Sequence, residues 1–357
     1  MRINGHAHLL PNPEDIPAYL KENEIFWVDE EKKYMLQKNW KRPVTHSSFF
    51  LEEKLEWMEQ NKIDHAIVLT LSQLYGNGLR LEEMKQALRF QNDFNARIQR
   101  DYGDKFTCGF VIHSGFIRSA LWEMERCVEE LGLRVLCLPT HYMDSIGTWR
   151  SIFDEEVVPV FELANQYGLA VEIHPYDGEK FIKLENRAWR FHLVWMLAQC
   201  ADAYHFYTLN NYHERFKDMR VCFAHGGQLA QINLGRRIQG FDGRPDLFEG
   251  KTHPRKAVAH PNIFFDTLVH DCDSLELMIR RNGTDQIILG LDDPYPLGEM
   301  ESERQSSYPG KLLDLALERN IINEDQYQDI WGDNVLRWLG GERSKYIRQI
   351  IKTKNAV

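Results

Sequence analysis

The chain has 357 residues, of which 43% are hydrophobic and 27% are charged, and these proportions are typical of a soluble globular protein. Its formal net charge of −10 at pH 7 argues against nucleic acid or an anionic membrane as the main partner. No apolar run approaches about 18 residues, and no cationic segment precedes an apolar core at the start, so we expect neither a membrane span nor a signal peptide. The six cysteines show no CxxC spacing, and we expect reduced thiols in a cytoplasmic protein.

Eight short apolar segments are predicted strands, and helical patterns separate them. Most of these segments are continuous apolar runs, which is typical of strands buried on both faces. The predicted strands are 2–8, 65–71, 106–112, 134–140, 169–175, 220–227, 263–268 and 287–293. This alternation predicts an α/β fold, a (β/α)8 TIM barrel, as a single domain over residues 1–345. The alternative is an open doubly wound sheet, whose usual GxGxxG fingerprint after the first strand is absent.

Two regions depart from this alternation. Residues 14–48 contain two apolar runs around the charged sequence DEEKK, which predicts a small β-hairpin inserted after the first strand and lying over the barrel mouth. Residues 346–357 form a basic tail, which we expect to be a surface helix with a frayed end.

The first predicted strand carries two histidines, His6 and His8, one residue apart. Alternate side chains of a strand point to the same face, so the two imidazoles could share a metal ion. They could equally be two ordinary polar residues at a strand edge. In a barrel the carboxyl ends of all strands meet at one rim, where active sites lie. The metal-competent residues that end three further predicted strands are His174, His225, Asp292 and Asp293.

These residue types suit a borderline divalent metal ion. Neutral imidazoles with one carboxylate favour zinc, with iron, manganese and cobalt as alternatives. Three histidines, His6, His8 and His174, and one aspartate would leave a coordination position open for water, whose pKa a metal lowers. His225 would then be available for acid–base chemistry. The fourth predicted strand contains no lysine that could bridge two ions after carboxylation, so we expect one metal ion per chain.

Four motifs together resemble those of the amidohydrolase superfamily. They are HAH at 6–8, HP at 174–175, HGG at 225–227 and LGLDDPYPLGE at 289–299. The resemblance extends over nearly the whole chain and is strongest to the decarboxylating branch, in which a segment like NWKRPV (39–44) folds over the active site. It implies a carboxy-lyase, namely a metal-dependent, non-oxidative decarboxylase of an unsaturated amino-dicarboxylate semialdehyde, with no organic cofactor.

The resemblance also implies a role for individual residues. His225 would be the acid–base residue beside the metal-bound Asp292, and Arg42 would bind a carboxylate of the substrate. Arg236 lies where the family lends an arginine to the neighbouring active site, which implies a homodimer with a shared site. Two arginines suit a dicarboxylate, because a guanidinium group donates two parallel hydrogen bonds. The implied zinc ligands are His6, His8, His174 and Asp292.

Three positions depart from the family pattern and bear on the substrate more than on the metal. Asn4 replaces an acidic residue in the opening motif, Gln228 replaces a glycine after HGG, and Asp293 is an additional acid. By strand alternation Asp293 is expected to point away from the metal and to be a loop or cap residue. Other readings are a hydroxybenzoate decarboxylase, a hydrolase or hydratase of a related ring-cleavage acid, or a catalytically silent barrel whose histidines and aspartates are structural.

The remaining tryptophans and histidines are assigned mainly to packing. Trp189 and Trp195 follow the fifth predicted strand, and either could line the pocket, although packing is the favoured interpretation. Four further histidines lie near the ends of predicted strands or helices and are at most neighbours of the ligands. They are His46, His113, His141 and His270.

Overall fold

The structure is a computed structural model that describes residues 1–37, 40–43, 46–175, 187–304 and 306–354. The strands are β1 Ile3–Ala7, β2 Trp27–Val28, β3 Tyr34–Gln37, β4 Trp40–Pro43, β5 His65–Val68, β6 Phe106–Val111, β7 Val135–Pro139, β8 His141–Met143, β9 Trp149–Ser151, β10 Ala170–His174, β11 Arg220–Phe223, β12 Ile263–Asp266 and β13 Ile287–Ile288. The helices are α1 Ala18–Glu22, α2 Leu51–Gln60, α3 Leu81–Asp101, α4 Ile117–Glu125, α5 Val158–Gln166, α6 Met196–Leu209, α7 Tyr212–Arg215, α8 Gln228–Ile232, α9 Leu234–Gly243, α10 Cys272–Asn282, α11 Lys311–Glu318, α12 Glu324–Gln328, α13 Asn334–Leu339 and α14 Gly341–Lys354.

Eight parallel strands form the central sheet in the order β1-β5-β6-β7-β10-β11-β12-β13. Each of them lies within one of the eight predicted segments, and helices follow the strands around the outside. The predicted TIM barrel is therefore confirmed. The order is sequential because each strand–helix–strand unit places the next strand beside the previous one.

Backbone hydrogen bonds join the first strand to the segment that follows the last one. The Asp292 N–H donates to the His6 carbonyl at 2.8 Å, and the His8 N–H donates to the Asp293 carbonyl at 2.9 Å. The predicted strand 287–293 is thus regular only over its first part, but its remainder still lies alongside β1. This closure brings the two ends of the barrel sequence, nearly 300 residues apart, into contact.

Two hydrophobic clusters account for the continuous apolar character of the strands. Leu136 and Leu138 of β7 belong to the cluster that packs against the outer helices. Their neighbours Val135 and Cys137 belong to the other cluster, which fills the barrel and continues to α13 and α14. Because successive side chains of a strand point to opposite faces, both faces of β7 are buried.

The insertion after β1 is a three-stranded antiparallel sheet of β2, β3 and β4. The predicted hairpin corresponds to β2 and β3, and β4 is a strand that the sequence did not indicate. Asn39 and Val44 of the NWKRPV motif lie outside the described residues. The sheet packs onto the barrel mouth through Met35 of β3, which lies in a small cluster of buried side chains. The cluster comprises Leu10, Phe26, Met35, Phe49, Leu71 and Tyr295.

Helices α13 and α14 cover the amino ends of the barrel strands. The Arg220 guanidinium at the start of β11 donates to the carbonyl oxygens of Trp338 and Leu339 at 2.6 and 3.0 Å. Helix α14 runs through residue 345 without a break and buries Ile347 and Ile351. No helix in the described part of the chain is both long and apolar enough to span a membrane. All six cysteines are free and buried, in agreement with the expectation of reduced thiols.

Candidate metal centre

Five side chains predicted from the strand ends lie together at the carboxyl end of the barrel. His6 is within β1, His174 is the last residue of β10, and His225 follows β11 by two positions. The centre of the His6 ring lies 5.1 Å from the centre of the His8 ring and 5.4 Å from that of the His174 ring. Asp292 completes the group, with its Oδ1 atom 3.8 Å from the Nε2 atom of His6.

Hydrogen bonds at the Nδ1 atoms fix the ring orientation of three histidines. The Nδ1 atom of His6 lies 2.9 Å from a carboxylate oxygen of Asp266. The Nδ1 atoms of His8 and His174 lie 3.1 and 2.7 Å from backbone carbonyl oxygens. A carbonyl oxygen only accepts, so these Nδ1 atoms carry the proton and the lone pair of a neutral ring sits on Nε2. Such partners are typical of histidines that bind metals.

Two features of the cluster call for a cation. The Nε2 atom of His6 is buried and has no hydrogen-bond partner. The Nε2 atom of His8 lies 3.1 Å from the Asp292 carboxylate, although burial lowers the pKa of His8 and leaves Nε2 as an acceptor. Two acceptors at this distance repel unless a positive charge lies near both. The arrangement therefore fits a divalent metal ion.

Two overlapping sets of donor atoms could hold such an ion. One set contains His6, His8 and Asp292, and the other contains His6, His174 and His225, with all atoms of each set within 4.8 Å of one another. His6 belongs to both sets. Three imidazoles with one carboxylate, and a further imidazole beside them, are a donor set that zinc and neighbouring transition metals accept.

The pKa values reflect the same competition between burial and charge. Burial alone would lower the pKa of His6, but the hydrogen bond to Asp266 and the charges of Asp292 and Asp266 raise it to about 9. Burial, together with the neighbouring His225, holds the pKa of His174 well below its usual range. Burial also lowers the pKa of His225 to about 4. The cluster thus favours positive charge near His6 and neutral rings elsewhere.

Asp266 is a buried acid beside the candidate ligands that the sequence analysis missed. Besides His6, its carboxylate accepts the backbone N–H groups of His225 and Gly226 at 3.0 and 2.8 Å. It therefore holds a ligand and the turn after β11 at the same time. A signal was available, because Asp266 ends the apolar run IFFD, and the rule that selected His174 and Asp292 applies equally to this strand.

Glu172 is a second buried acid that the sequence analysis did not name. It precedes His174 by two residues on β10, so it points into the barrel on the same face. Neither of its carboxylate oxygens has a hydrogen-bond partner among the described residues. Burial raises the pKa of Glu172 to about 8, which leaves it protonated at neutral pH. A signal was available, because Glu172 interrupts the apolar run LAVEIHP two residues before His174 and strand alternation places both side chains on one face.

Asp293 lies outside the regular strands, in an isolated bridge with Ala7, which agrees with the predicted loop position. Its side chain is nevertheless fully buried. Its carboxylate pairs with the ammonium group of Lys54, and the Asn4 amide donates to it. Asp293 does lie outside both sets of possible metal ligands, as predicted. Strand alternation gave the correct direction, but the space behind β1 is filled by a buried lysine rather than by solvent.

A cavity of about 100 Å³ opens onto the cluster. Arg42 of β4 contributes to its wall and lies with its guanidinium carbon 3.9 Å from the centre of the Tyr295 ring. Trp189 also lines the cavity and Trp195 does not, although the sequence did not distinguish them. The other lining residues include Gln73, His192, Gln228 and His270.

The remaining predicted residues lie away from this cavity. Arg236 is exposed on α9 and is not among the lining residues. His113 lines a larger cavity of about 730 Å³ between α3 and α4, which contains none of the clustered ligands. His141 lies 3.4 Å from Asp202. The side chain of His46 is outside the described part of the structure.

A family model described as amidohydrolase matches residues 3–340 of the chain. The chain belongs to the amidohydrolase family. This amidohydrolase is 25% identical over 360 residues to a 2-amino-3-carboxymuconate-6-semialdehyde decarboxylase of Dictyostelium discoideum, and the alignment covers 97% of this chain and 94% of the relative.

Solved structures share the fold of this amidohydrolase. The 5-carboxyvanillate decarboxylase of Sphingomonas paucimobilis superimposes with a TM-score of 0.73 at 19% identity, covering 95% of this chain and 98% of that one. A dihydroxybenzoic acid decarboxylase of Polaromonas sp. JS666, solved with manganese and 2-nitroresorcinol, gives a TM-score of 0.70 at 14% identity, with 95% and 99% covered. At these identities the likeness establishes the fold of the barrel.

Proposed function

We propose that this protein is a metal-dependent, non-oxidative decarboxylase of an unsaturated amino-dicarboxylate semialdehyde of the aminocarboxymuconate semialdehyde type. The observation that carries the proposal is a pair of donor sets that share His6, one with His8 and Asp292 and the other with His174 and His225. A cavity lined by His225 and Arg42 opens beside them. The full-length likeness to the decarboxylase of Dictyostelium discoideum supports this choice of substrate.

His6, His8, His174 and Asp292 are the proposed ligands of one metal ion per chain, with zinc as the first candidate and manganese as an alternative. When bound, the ion supplies Lewis acidity and makes water a better nucleophile at neutral pH. The role of the chain around it is to hold the rings in place, which Asp266 and the backbone carbonyl groups do for His6, His8 and His174.

His225 is the proposed acid–base residue. In a non-oxidative decarboxylation a proton takes the place of the departing carbon dioxide on the substrate carbon, so a group must deliver it. Burial keeps the His225 ring neutral at pH 7, and its position on the cavity wall lets it take a proton from water and return it to carbon. Its ring lies 4.9 Å from that of His174, close enough to serve the same substrate.

Arg42 is the proposed partner of a substrate carboxylate. Its planar guanidinium lies over the Tyr295 ring at the cavity wall, so its orientation is constrained before the substrate arrives. We further propose that Arg236 of the partner subunit binds the second carboxylate, which requires a homodimer. The free, buried cysteines support assignment to the cytoplasm.

The test is to add the purified, metal-loaded protein to freshly prepared aminocarboxymuconate semialdehyde. We expect the near-ultraviolet absorption of the substrate to disappear and one carbon dioxide to be released per molecule consumed. Asp292→Asn is the control, because it removes a proposed ligand at nearly constant volume. Loss of absorption without carbon dioxide, or equal release by the control, would contradict the proposal.

A second candidate is a decarboxylase of hydroxybenzoates. The aromatic side chains of Trp189 and Tyr295 line the cavity, and such rings suit a planar aromatic acid as well as a conjugated chain. The same assay with dihydroxybenzoates tests this alternative. Turnover of these acids with no consumption of the semialdehyde would favour it over the first proposal.

A further inference from the structure

Lys54 is a charged residue in an unusual place. It lies in α2 with no exposed surface, and its ammonium group pairs with the Asp293 carboxylate. The same ammonium group donates to the backbone carbonyl of His8 at 3.0 Å. A buried ammonium group is tolerated only where partners compensate for the lost hydration, so these two contacts determine where the side chain can lie.

Asn4 completes the arrangement from the other side. Its amide nitrogen donates to the Asp293 carboxylate. Its amide oxygen accepts the backbone N–H groups of His6 and Leu291, both at 3.0 Å. One asparagine side chain therefore connects β1 with the segment that follows β13, at the seam where the barrel closes.

These contacts reach the backbone immediately beside the proposed ligands. Asn4 holds the amide of His6, Lys54 holds the carbonyl of His8, and Asp293 directly follows Asp292 along the chain. A shift of the β1 backbone against the other segment would change the distance between the imidazoles and the carboxylate. Asn4 and Asp293, which the sequence showed as two separate departures from the family pattern, belong to one network.

We propose that Asn4, Lys54 and Asp293, the seam network, position His6 and His8 relative to Asp292 for metal binding. These are positioning residues, since none of them lies in either set of possible ligands. The inference rests on the proposed metal site and is independent of the substrate. The competing interpretation is that the network only stabilises the closed barrel.

The first test compares the metal affinity of Asp293→Asn with that of the wild type. Zinc affinity is measured by competition with a chromogenic chelator, the cobalt absorption spectrum reports ligand geometry, and thermal unfolding of the metal-free protein reports stability. We expect affinity to fall about 10–100-fold and the cobalt spectrum to change, as for other partners of metal ligands. The matched control is Glu123→Gln, which removes a buried carboxylate that pairs with Arg126 away from the seam.

The second test relocates the carboxylate within the network. In Asn4→Asp/Asp293→Asn the acid and the amide exchange places, so the net charge and the donor–acceptor hydrogen bond between the two positions are preserved. We expect this double variant to regain most of the affinity and the cobalt spectrum lost in Asp293→Asn. A purely structural role would return thermal stability without any such spectroscopic recovery.

The outcomes separate the possibilities. If Asp293→Asn loses stability like Glu123→Gln but keeps wild-type affinity, the positioning role is wrong and the proposed function stands. If the wild type binds no metal, both fail. If Asp293→Asn does not fold, Asn4→Ala takes its place, because it keeps the ion pair of Lys54 and Asp293, and unchanged affinity in that variant would overturn the proposal.

Discussion

His225 and Asp292, two residues of the proposed reaction, share an unusual backbone conformation. Their φ angles are 55° and 48°, in the left-handed region that residues with a side chain seldom adopt. Asp266 compensates at His225 by accepting its N–H group, and the Asp292 N–H group donates to the His6 carbonyl. Strain of this kind persists where the surroundings hold it and is common in active sites.

The role of His225 can be tested apart from metal binding. We expect His225→Asn to retain the metal and to lose about 10²–10⁴-fold in kcat, because proton transfer by a positioned group contributes that much. Metal content by elemental analysis and kcat by the absorbance assay are measured on the same sample. His174→Ala should instead lose metal, and His113→Asn, a buried histidine outside the cluster, should change neither. Near wild-type kcat in His225→Asn would assign the proton transfer to another residue.

The burial of Lys54 could not be predicted, although its spacing from apolar residues is visible in the sequence. Lys54 lies three residues after Leu51 and four before Met58, a spacing that places the three side chains on one face of α2. Lysine at such a position predicts an exposed edge of that face, because a charge is seldom buried. Its partner Asp293 is 239 residues away, and only barrel closure places the two together.

At the scale of elements, the inserted sheet is the part that the sequence described least completely. Its strands are two to four residues long, too short to show a clear alternation of apolar and polar positions, and β4 also carries two adjacent charged residues. The barrel strands were predictable because burial on both faces makes them continuous apolar runs. The register of β3 and β4 sets the position of Arg42. Their pairing places Arg42 opposite Met35, which belongs to the buried cluster at the barrel mouth.

Arg42 is expected to act mainly on substrate binding. Arg42→Lys should lower kcat/KM about 10-fold or more through a higher KM, because lysine keeps the charge but loses the paired hydrogen bonds to a carboxylate. Lys41→Ala is the matched control, since its neighbouring side chain is exposed and lies over Tyr34 instead of the cavity. The measurement is the steady-state kinetics of both variants. If both substitutions changed KM equally, Arg42 would not bind the substrate.

For the whole molecule, the sequence predicted the barrel rim better than the layer beneath it. The clustered side chains lie at strand ends, where topology alone brings them together. The rule for TIM barrels therefore found the proposed ligands His6, His8, His174 and Asp292 and the proposed acid–base residue His225. The seam network lies behind the strands, where contact depends on packing between distant segments. No local pattern contains that information. Asp266 differs, because β12 ends at this residue while the predicted strand continued to residue 268.

Acid sensitivity is a property of the whole fold to which His65 contributes. This buried histidine contacts Thr107 at 2.9 Å, far along β5 from the metal cluster, and burial lowers its pKa to about 3. In the unfolded chain the His65 imidazole binds a proton near pH 6.5, whereas in the folded protein it stays neutral until about pH 3. Its contribution to the free energy of unfolding is therefore complete above pH 6.5 and falls by up to about 1.4 kcal/mol per pH unit as the pH drops towards 3. We expect His65→Gln to flatten this acid limb in urea unfolding of the metal-free protein. An unchanged slope between pH 6.5 and 4.5 would contradict the assignment.

The proposed homodimer is testable through the sharing of an active site. Arg236 is exposed on α9 and does not line the cavity of its own chain, so its proposed substrate contact must be made in the partner subunit. Leaving a charged, buried substrate carboxylate without its partner costs about 3 kcal/mol or more, and Arg236→Ala should therefore lose about 10²-fold or more in kcat/KM. Mixed with inactive His225→Asn under conditions that exchange subunits, it should regain activity up to one site per heterodimer. In that site an intact His225 of one chain meets an intact Arg236 of the other.

The matched control for this experiment mixes His225→Asn with Arg42→Ala. Both residues line the cavity of their own chain, so every site of that heterodimer retains one defect and no activity should return. Recovery in the first mixture and not in the second is the result that a shared site requires, because any general effect of mixing would appear in both. If the first mixture stays inactive while mass spectrometry of the intact assembly shows heterodimers, Arg236 does not serve the neighbouring site, and the second carboxylate must be bound by a residue of the same chain.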